Sequence, residues 1–258
     1  MQHVDVAGKL AEKFNSSIIL LCVLPKEAML PALKKSVKAY AESQLDKINQ
    51  HLTYSNKKIE KRIEYGNPFE VIISLSEIEN INLIINPVVD NNLNSAYKID
   101  VLSEKLVRKS AKPVMILKPG ANAAPQNILC PIDFSKSSER ALNNAIKIAK
   151  VFKSKLFIIN IFEPLRESFS KRLEVNLKEE NKKLEEENKK ELDKFISKFN
   201  LIDVNYSIES LSGKVNTLIS KYALSNSIDY IFIGATGKNY VQRLFIGSVT
   251  ESVLRGFP

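Results

Sequence analysis

Two kinds of hydrophobic pattern alternate along the chain. Runs such as Ile18–Val23, Leu-Phe-Ile-Ile within Leu156–Ile161 and Tyr-Ile-Phe-Ile within Tyr230–Gly234 are apolar at consecutive positions. An extended segment of that kind is apolar on both faces, which predicts a strand of a parallel sheet covered by helices on each side. Between these runs the apolar residues recur every three or four positions, the period of an amphipathic helix. In the second half the pattern predicts a strand over Asn127–Pro131 and a helix over Ser137–Phe152. A strand over Leu156–Ile161 and a long charged helix from about Ser168 to Lys198 follow. After them come a strand over Val204–Ile208, a helix over Val215–Ser225, a strand over Tyr230–Gly234 and a helix over Ser248–Arg255. Ser135 is the predicted N-cap of the first of these helices, with Ser137 as the fallback, and Glu139 falls in its first turn where the dipole favours a carboxylate. The Leu173, Leu177, Leu184 and Leu192 spacing hints at a coiled coil, but Asn181 and Asn188 interrupt it. The charged helix is therefore expected to pack one apolar stripe on the sheet.

The same order of elements occurs twice. Ala7–Ser17 lines up with Ala145–Lys155, and each segment leads into an apolar strand that runs into a proline, Pro25 or Pro164. Further on, Gly66 pairs with Gly213, Ile72 with Ile219, Ile84 with Ile231, Glu104 with Glu251 and Arg108 with Arg255, at a constant spacing of 147 residues. A duplication of this kind predicts two tandem doubly wound α/β domains with parallel sheets. The domains are expected over 1–118 and 127–258, joined by a Pro/Gly/Ala-rich linker over 119–126. Met1 aligns with Glu139, so the first copy is expected to lack the opening strand. The second reaches Pro258 before any counterpart of the closing strand Val114–Leu117.

Composition removes several classes of function. The longest apolar run, Ile18–Leu24, is strand-sized and far short of the ~20 residues that cross a bilayer, and Met1–Asp5 does not have the pattern of a signal peptide. The expected location is cytoplasmic. Cys22 and Cys130 each lie in an apolar strand-like run and read as buried small hydrophobes. With only two histidines in the chain, a His-based metal or catalytic site is not expected. The net charge of +9 invites a nucleic-acid partner, but lysines interleaved with glutamates, as in Lys178–Glu191, describe a solvated helix face.

Candidate chemistry lies at the carboxyl edge of the second sheet, where open parallel sheets bind ligands. One loop follows the first strand, Pro131-Ile132-Asp133-Phe134-Ser135. The other follows the fourth strand, from Gly234-Ala-Thr-Gly237-Lys238 to Gly247-Ser248-Val249-Thr250. Gly234 and Gly237 carry no Cβ where backbone N–H groups would turn toward an anion. Gly247 and Ser248 open a helix whose free N–H groups and dipole favour a phosphate, with the Ser248 and Thr250 hydroxyls beside it and Lys238 and Arg243 nearby. A P-loop would need a glycine where Phe232 stands, and no Gly-x-Gly-x-x-Gly occurs.

Gly-x-x-Gly, nine residues, then Gly-Ser resembles the ATP loop of the universal stress protein family. The strand Ile128–Asp133 and the helix Ser248–Arg255 resemble that family's opening strand and closing helix, so the likeness covers nearly the whole chain. The resemblance implies a Rossmann-like fold and an ATP, ADP or AMP site, with Mg²⁺ as a companion of the phosphates. It places Pro131, Ile132 and Asp133 at the adenine and ribose, and Asn160 and Ile161 in the adenine pocket. Gly234, Gly237, Lys238, Gly247, Ser248, Val249 and Thr250 would lie along the phosphate loop. For Asp133 alone, a helix-capping carboxylate is an equal reading. In the first copy the loop glycines become Pro87, Asp90 and Asp100, and Ser248 becomes Val101. Proline removes a donor and carboxylates repel phosphate, so this copy is expected to be structural, pairing with the second as family members pair in dimers.

The function expected is a nucleotide-binding stress-response or regulatory protein. The loop offers no evident catalytic carboxylate, so at most slow ATP hydrolysis is expected. Two alternatives stand beside it: a nucleotide-free scaffold of the same fold, and an adenylate-transferring enzyme on a related fold, for which no Ser-Gly-Gly or His-x-Gly-His motif is present. Val114–Leu117 is an apolar closing edge strand and is expected to seek a partner surface, either in the second domain or in a homodimer.

Overall fold

In a computed structural model, residues 2–52, 58–88, 100–165, 176–236 and 247–256 are described. The chain divides into two compact units, Met1–Ala124 and Pro125–Pro258.

The first unit runs α1 (Gln2–Phe14), β1 (Ile18–Leu24), a 3₁₀ turn (Lys26–Met29), α2 (Pro31–His51), β2 (Ile59–Tyr65), α3 (Pro68–Ile78), β3 (Ile84–Pro87), α4 (Val101–Lys109) and β4 (Val114–Leu117). β1 pairs parallel with β2 from Ile18↔Ile59 to Leu24↔Tyr65, and β3 pairs parallel with β4 from Ile84↔Val114 to Pro87↔Leu117. Among the described residues no strand joins the two pairs. All seven residues of β1 are accordingly only half-buried.

The second unit runs β5 (Asn127–Ile132), α5 (Lys136–Phe152), β6 (Lys155–Phe162), α6 (Leu177–Ile196), β7 (Asn205–Ser212), α7 (Val215–Ser225), β8 (Tyr230–Ile231) and α8 (Ser248–Gly256). Its four strands lie parallel in the order β7-β6-β5-β8. The chain steps outward from β5 to β7 and then crosses to the other side of β5, so strand order reverses between β5 and β8. β6 corresponds to β1 in the repeat, but β5 lies beside it and Leu156–Asn160 are buried. Ile128, Leu129, Cys130, Leu156, Ile158 and Ile159 of the two central strands are fully inaccessible, as are Leu142 and Ile219 of the covering helices. Each such aliphatic side chain contributes about 1.5–3 kcal/mol by leaving water.

Ser135 caps α5 as expected, accepting from the Ser138 N–H at 3.1 Å, and Lys153 ends the helix in the left-handed conformation at φ 57°. The fourth strand is shorter than its apolar run. After Phe232 donates to the Leu129 carbonyl the ladder ends, because the chain must bring Gly234 against α5. The charged helix is described from Leu177, and Leu173 lies outside the described residues. Leu192 and Phe195 supply its buried stripe, while Asn181 and Asn188 face polar partners. Lys183 pairs with Glu179 and Glu180 along its solvated face. Among the described residues no helix is long and apolar enough to cross a membrane, and no group of three or more His, Cys, Asp or Glu could hold a metal ion.

Candidate functional site

Strand order reverses between β5 and β8, the place where open parallel sheets form a crevice beyond the carboxyl ends of their strands, and the turn after β5 lies on one side of it. Pro131 and Ile132 are buried, and Ile132 stands in register with Asn160 on β6. The peptide between Ile132 and Asp133 is held at both polar atoms. Its carbonyl accepts from Asn160 Nδ2 at 3.0 Å, and its N–H donates to Ser138 Oγ at 3.4 Å. Phe134 then takes φ 63°, a conformation L-residues rarely adopt. Asp133 is exposed, and its Oδ1 accepts from the Ser135 N–H at 3.1 Å and the Ser135 hydroxyl at 2.6 Å. The carboxylate thus braces the turn that begins α5 and stays open to solvent at the crevice.

Asn160 departs from the expectation that it lines a ligand pocket. It is 3% exposed, its amide N–H is given to Ile132, and its carbonyl oxygen accepts from Asn188 Nδ2 at 2.7 Å. It supports the wall from beneath. Ile161, one residue further along β6, is half-buried.

The other wall follows β8. A Cβ on Gly234 would lie 2.8 Å from Ser137 Oγ and 2.9 Å from the Ser137 backbone carbon, so the missing Cβ serves close packing of the segment after β8 against α5. That differs from the expected role of turning an N–H toward an anion. Thr250 is likewise buried at 3% exposure, and its hydroxyl donates to the Gly234 carbonyl at 2.7 Å. Its single hydrogen ties the helix to the segment after β8 and is spent, which corrects the expectation of a free donor. Gly247 caps α8: its N–H donates to the Ala235 carbonyl and its carbonyl accepts from Glu251. Ser248 is exposed at the helix start and Val249 packs on the apolar cluster around Leu129 and Ile219. The N–H groups of the first helical turn point outward with no partner inside the helix. Gly237, Lys238 and Arg243 lie outside the described residues.

Ser248 and Val249 also line a cleft of about 350 Å³ shared with Glu163, Lys214, Val215, Asn216 and Thr217. Val215 begins α7, whose N-cap Lys214 makes no side-chain cap bond. Two helix N-termini therefore open on one cleft, and their dipoles favour an anion, with the Glu163 carboxylate opposing at one side. The sequence marks a helix over Val215–Ser225 but not that its start shares a cleft with the start of α8. The signal for that start was Gly213 before Lys214, a glycine with φ 145° whose N–H bonds the Phe162 carbonyl.

In the first unit the corresponding helix start carries a side-chain cap. Asp100 stands where Gly247 stands in the repeat, and its Oδ1 accepts from the Ser103 N–H at 2.6 Å. Its own carboxylate takes one N–H of the first turn of α4. Asp90 lies outside the described residues.

Comparisons with known proteins bear on the family and the fold. The model of the universal stress protein family matches twice, over residues 2–118 and 125–258. A Staphylococcus haemolyticus protein named as a universal stress protein is 30% identical over 133 residues, which is 52% of this chain and 80% of that protein. A similarly named Staphylococcus aureus protein is 31% identical over the same shares. Among solved structures, a universal stress protein from Archaeoglobus fulgidus has a TM-score of 0.68 at 22% identity, covering 99% of this chain and 88% of its own. A functionally unknown protein from Pseudomonas aeruginosa has a TM-score of 0.72 at 17% identity, over 97% of this chain and 83% of its own. At those identities the two structures bear on the fold.

Proposed function

The chain belongs to the universal stress protein family, and from that premise we propose that its second unit binds one adenine nucleotide in the crevice between β5 and β8. ATP, ADP and AMP share the groups concerned. The observation that carries this reading is the start of α8. It begins on Gly247 with the Ser248 hydroxyl exposed and first-turn N–H groups unpaired within the helix, and it opens on the same cleft as the start of α7. That donor set suits phosphate oxygens, with Gly237 and Lys238 supplying the rest of the loop and Mg²⁺ accompanying the phosphates. The Asp133 carboxylate suits ribose hydroxyls. Pro131, Ile132 and Ile161 suit the adenine wall, with Asn160 holding that wall from behind.

The role proposed is regulatory binding in a cytoplasmic stress response, with turnover slow at most. The first unit acts as structural partner, since the Asp100 carboxylate already holds the helix start. Calorimetric titration with ATP, together with chromatography of adenine compounds released from the purified protein, tests the proposal. One site per chain is expected, and two equivalent sites would overturn it. No heat of binding and no adenine carried through purification would favour the nucleotide-free scaffold.

A further inference from the structure

A line of hydrogen bonds crosses three strands just below the crevice. Asn188, on α6, donates from Nδ2 to Ser210 Oγ at 3.0 Å and to Asn160 Oδ1 at 2.7 Å. Ser210 is on β7 and Asn160 on β6, paired directly across the ladder. Asn160 Nδ2 passes the line to the Ile132 carbonyl at the end of β5. An amide N offers two hydrogens, and both of those on Asn188 are used. Each link has one polarity, so an amide in the middle can turn its carbonyl toward Asn188 only while Asn188 presents donors.

Asn160 is 3% exposed and has no alternative partner in water. With Asn188 removed, its carbonyl would be left buried and unsatisfied, or its amide would rotate and withdraw the N–H from Ile132. The Ile132–Asp133 peptide would then keep only the longer bond, 3.4 Å, to Ser138 Oγ. α6 is itself held above this edge by a second asparagine one heptad earlier. Asn181 accepts from the Leu165 N–H at 2.8 Å and donates to the Leu165 carbonyl at 3.3 Å.

We propose that Asn188 is a positioning residue of the nucleotide site: acting through Asn160, it sets the orientation of the Ile132–Asp133 peptide and so aims Asp133 at the ribose. This rests on the nucleotide-binding reading of the second unit, and it concerns the adenosine side of that site alone. The phosphate side, at α7 and α8, takes no part in the line.

Asn188→Leu and Asn188→Asp separate these contributions. Leu removes the donors and supplies the apolar residue that the heptad pattern of α6 lacks. Asp keeps the shape but offers acceptors only, facing the Asn160 carbonyl with a like dipole. Affinities for adenosine, ATP and inorganic tripolyphosphate are measured by calorimetry on the full chain, with thermal unfolding followed in parallel. Adenosine and ATP are expected to weaken about tenfold in both variants while tripolyphosphate stays within about twofold of the wild type. Unchanged adenosine affinity in a folded variant overturns the proposal, as does an equal loss for all three ligands that follows the fall in stability. If Asn188→Leu does not fold, Asn188→Asp decides alone. A wild type that binds tripolyphosphate but not adenosine overturns the positioning role and the adenine reading together, whereas binding of adenosine by every variant spares the latter.

Discussion

Thr250 donates its hydroxyl hydrogen to the carbonyl of Gly234 at 2.7 Å, and this bond joins the segment that follows β8 to the start of α8. The first unit makes a similar join with different atoms. Ser103 occupies the place of Thr250 in the repeat, and its hydroxyl accepts from Asn86 Nδ2 at 2.7 Å. Ser103 and Thr250 are both buried. A clamp at this helix start therefore persists in both copies, although the residues around the proposed anion site differ. Thr250→Val, isosteric but without the hydroxyl, should lower the stability of the second unit by about 1 kcal/mol. Thermal unfolding of the wild type and variant checks this.

Gly234→Ala should destabilise by about 1–3 kcal/mol, since the new methyl would fall within 2.9 Å of the Ser137 backbone. Adding Ser137→Ala should restore little, because the Ser137 backbone carbon and Cβ remain in place. Chemical denaturation of the single and double variants measures the difference, and full recovery in the double variant would contradict the packing account.

Gly247→Asp copies Asp100 of the first unit. An aspartate N-cap in place of glycine changes helix stability by only a few tenths of a kcal/mol. The carboxylate would stand where phosphate is proposed to sit, so ATP affinity should fall at least ~10-fold, at roughly 1.5–3 kcal/mol per charge-assisted bond lost. Calorimetry on the folded variant decides, and unchanged affinity would place the phosphates elsewhere.

The cysteines give a pH-dependent prediction. Burial pushes the Cys130 thiol, fully inaccessible on β5, well above its ordinary value, and raises Cys22 as well. A folded-state pKa above the unfolded one means that the native state keeps a proton the unfolded chain releases. The resulting stability is complete below the unfolded thiol value and declines as pH rises above about 8.5. Denaturant midpoints should fall through that range, and Cys130→Ala should flatten the decline. Tyr230 and Tyr222, raised first by burial, add their own decline only above about pH 10. At pH 8 a thiol reagent should label Cys22 slowly and Cys130 only on unfolding.

β4 offers the last test. Val114–Leu117 pairs with β3 along one edge, and among the described residues no strand pairs with the other. An apolar edge of this kind is normally covered. Light scattering over a range of concentrations should show a dimer that Met115→Lys weakens, or a monomer whose stability Met115→Lys reduces. A monomer indifferent to the substitution would show that the edge has no partner.

Much of this architecture could be read from periodicity. Runs apolar on both faces mark strands of a parallel sheet, buried in β5 and β6 but only half-buried in β1, and the repeat carries the strand reading from one half of the chain to the other. Ser135 as a cap was equally readable, because N-cap chemistry is local. Local chemistry also marked Gly247 and Ser248 as the start of a helix. What no pattern could reveal was which polar groups are already committed. Asn160, Thr250 and Gly234 have the composition of a binding edge, yet each is occupied by a residue distant in the chain: Ile132 and Asn188, Gly234, and Ser137. Asn188 looked like a break in a leucine stripe and is instead the donor that closes a line across three strands. Hydrogen-bond satisfaction and close packing depend on which strands lie side by side, and that adjacency is set when β8 crosses back beside β5. Spacing in the sequence carries the period of each element, whereas the partners of its polar atoms exist only once the sheet has formed.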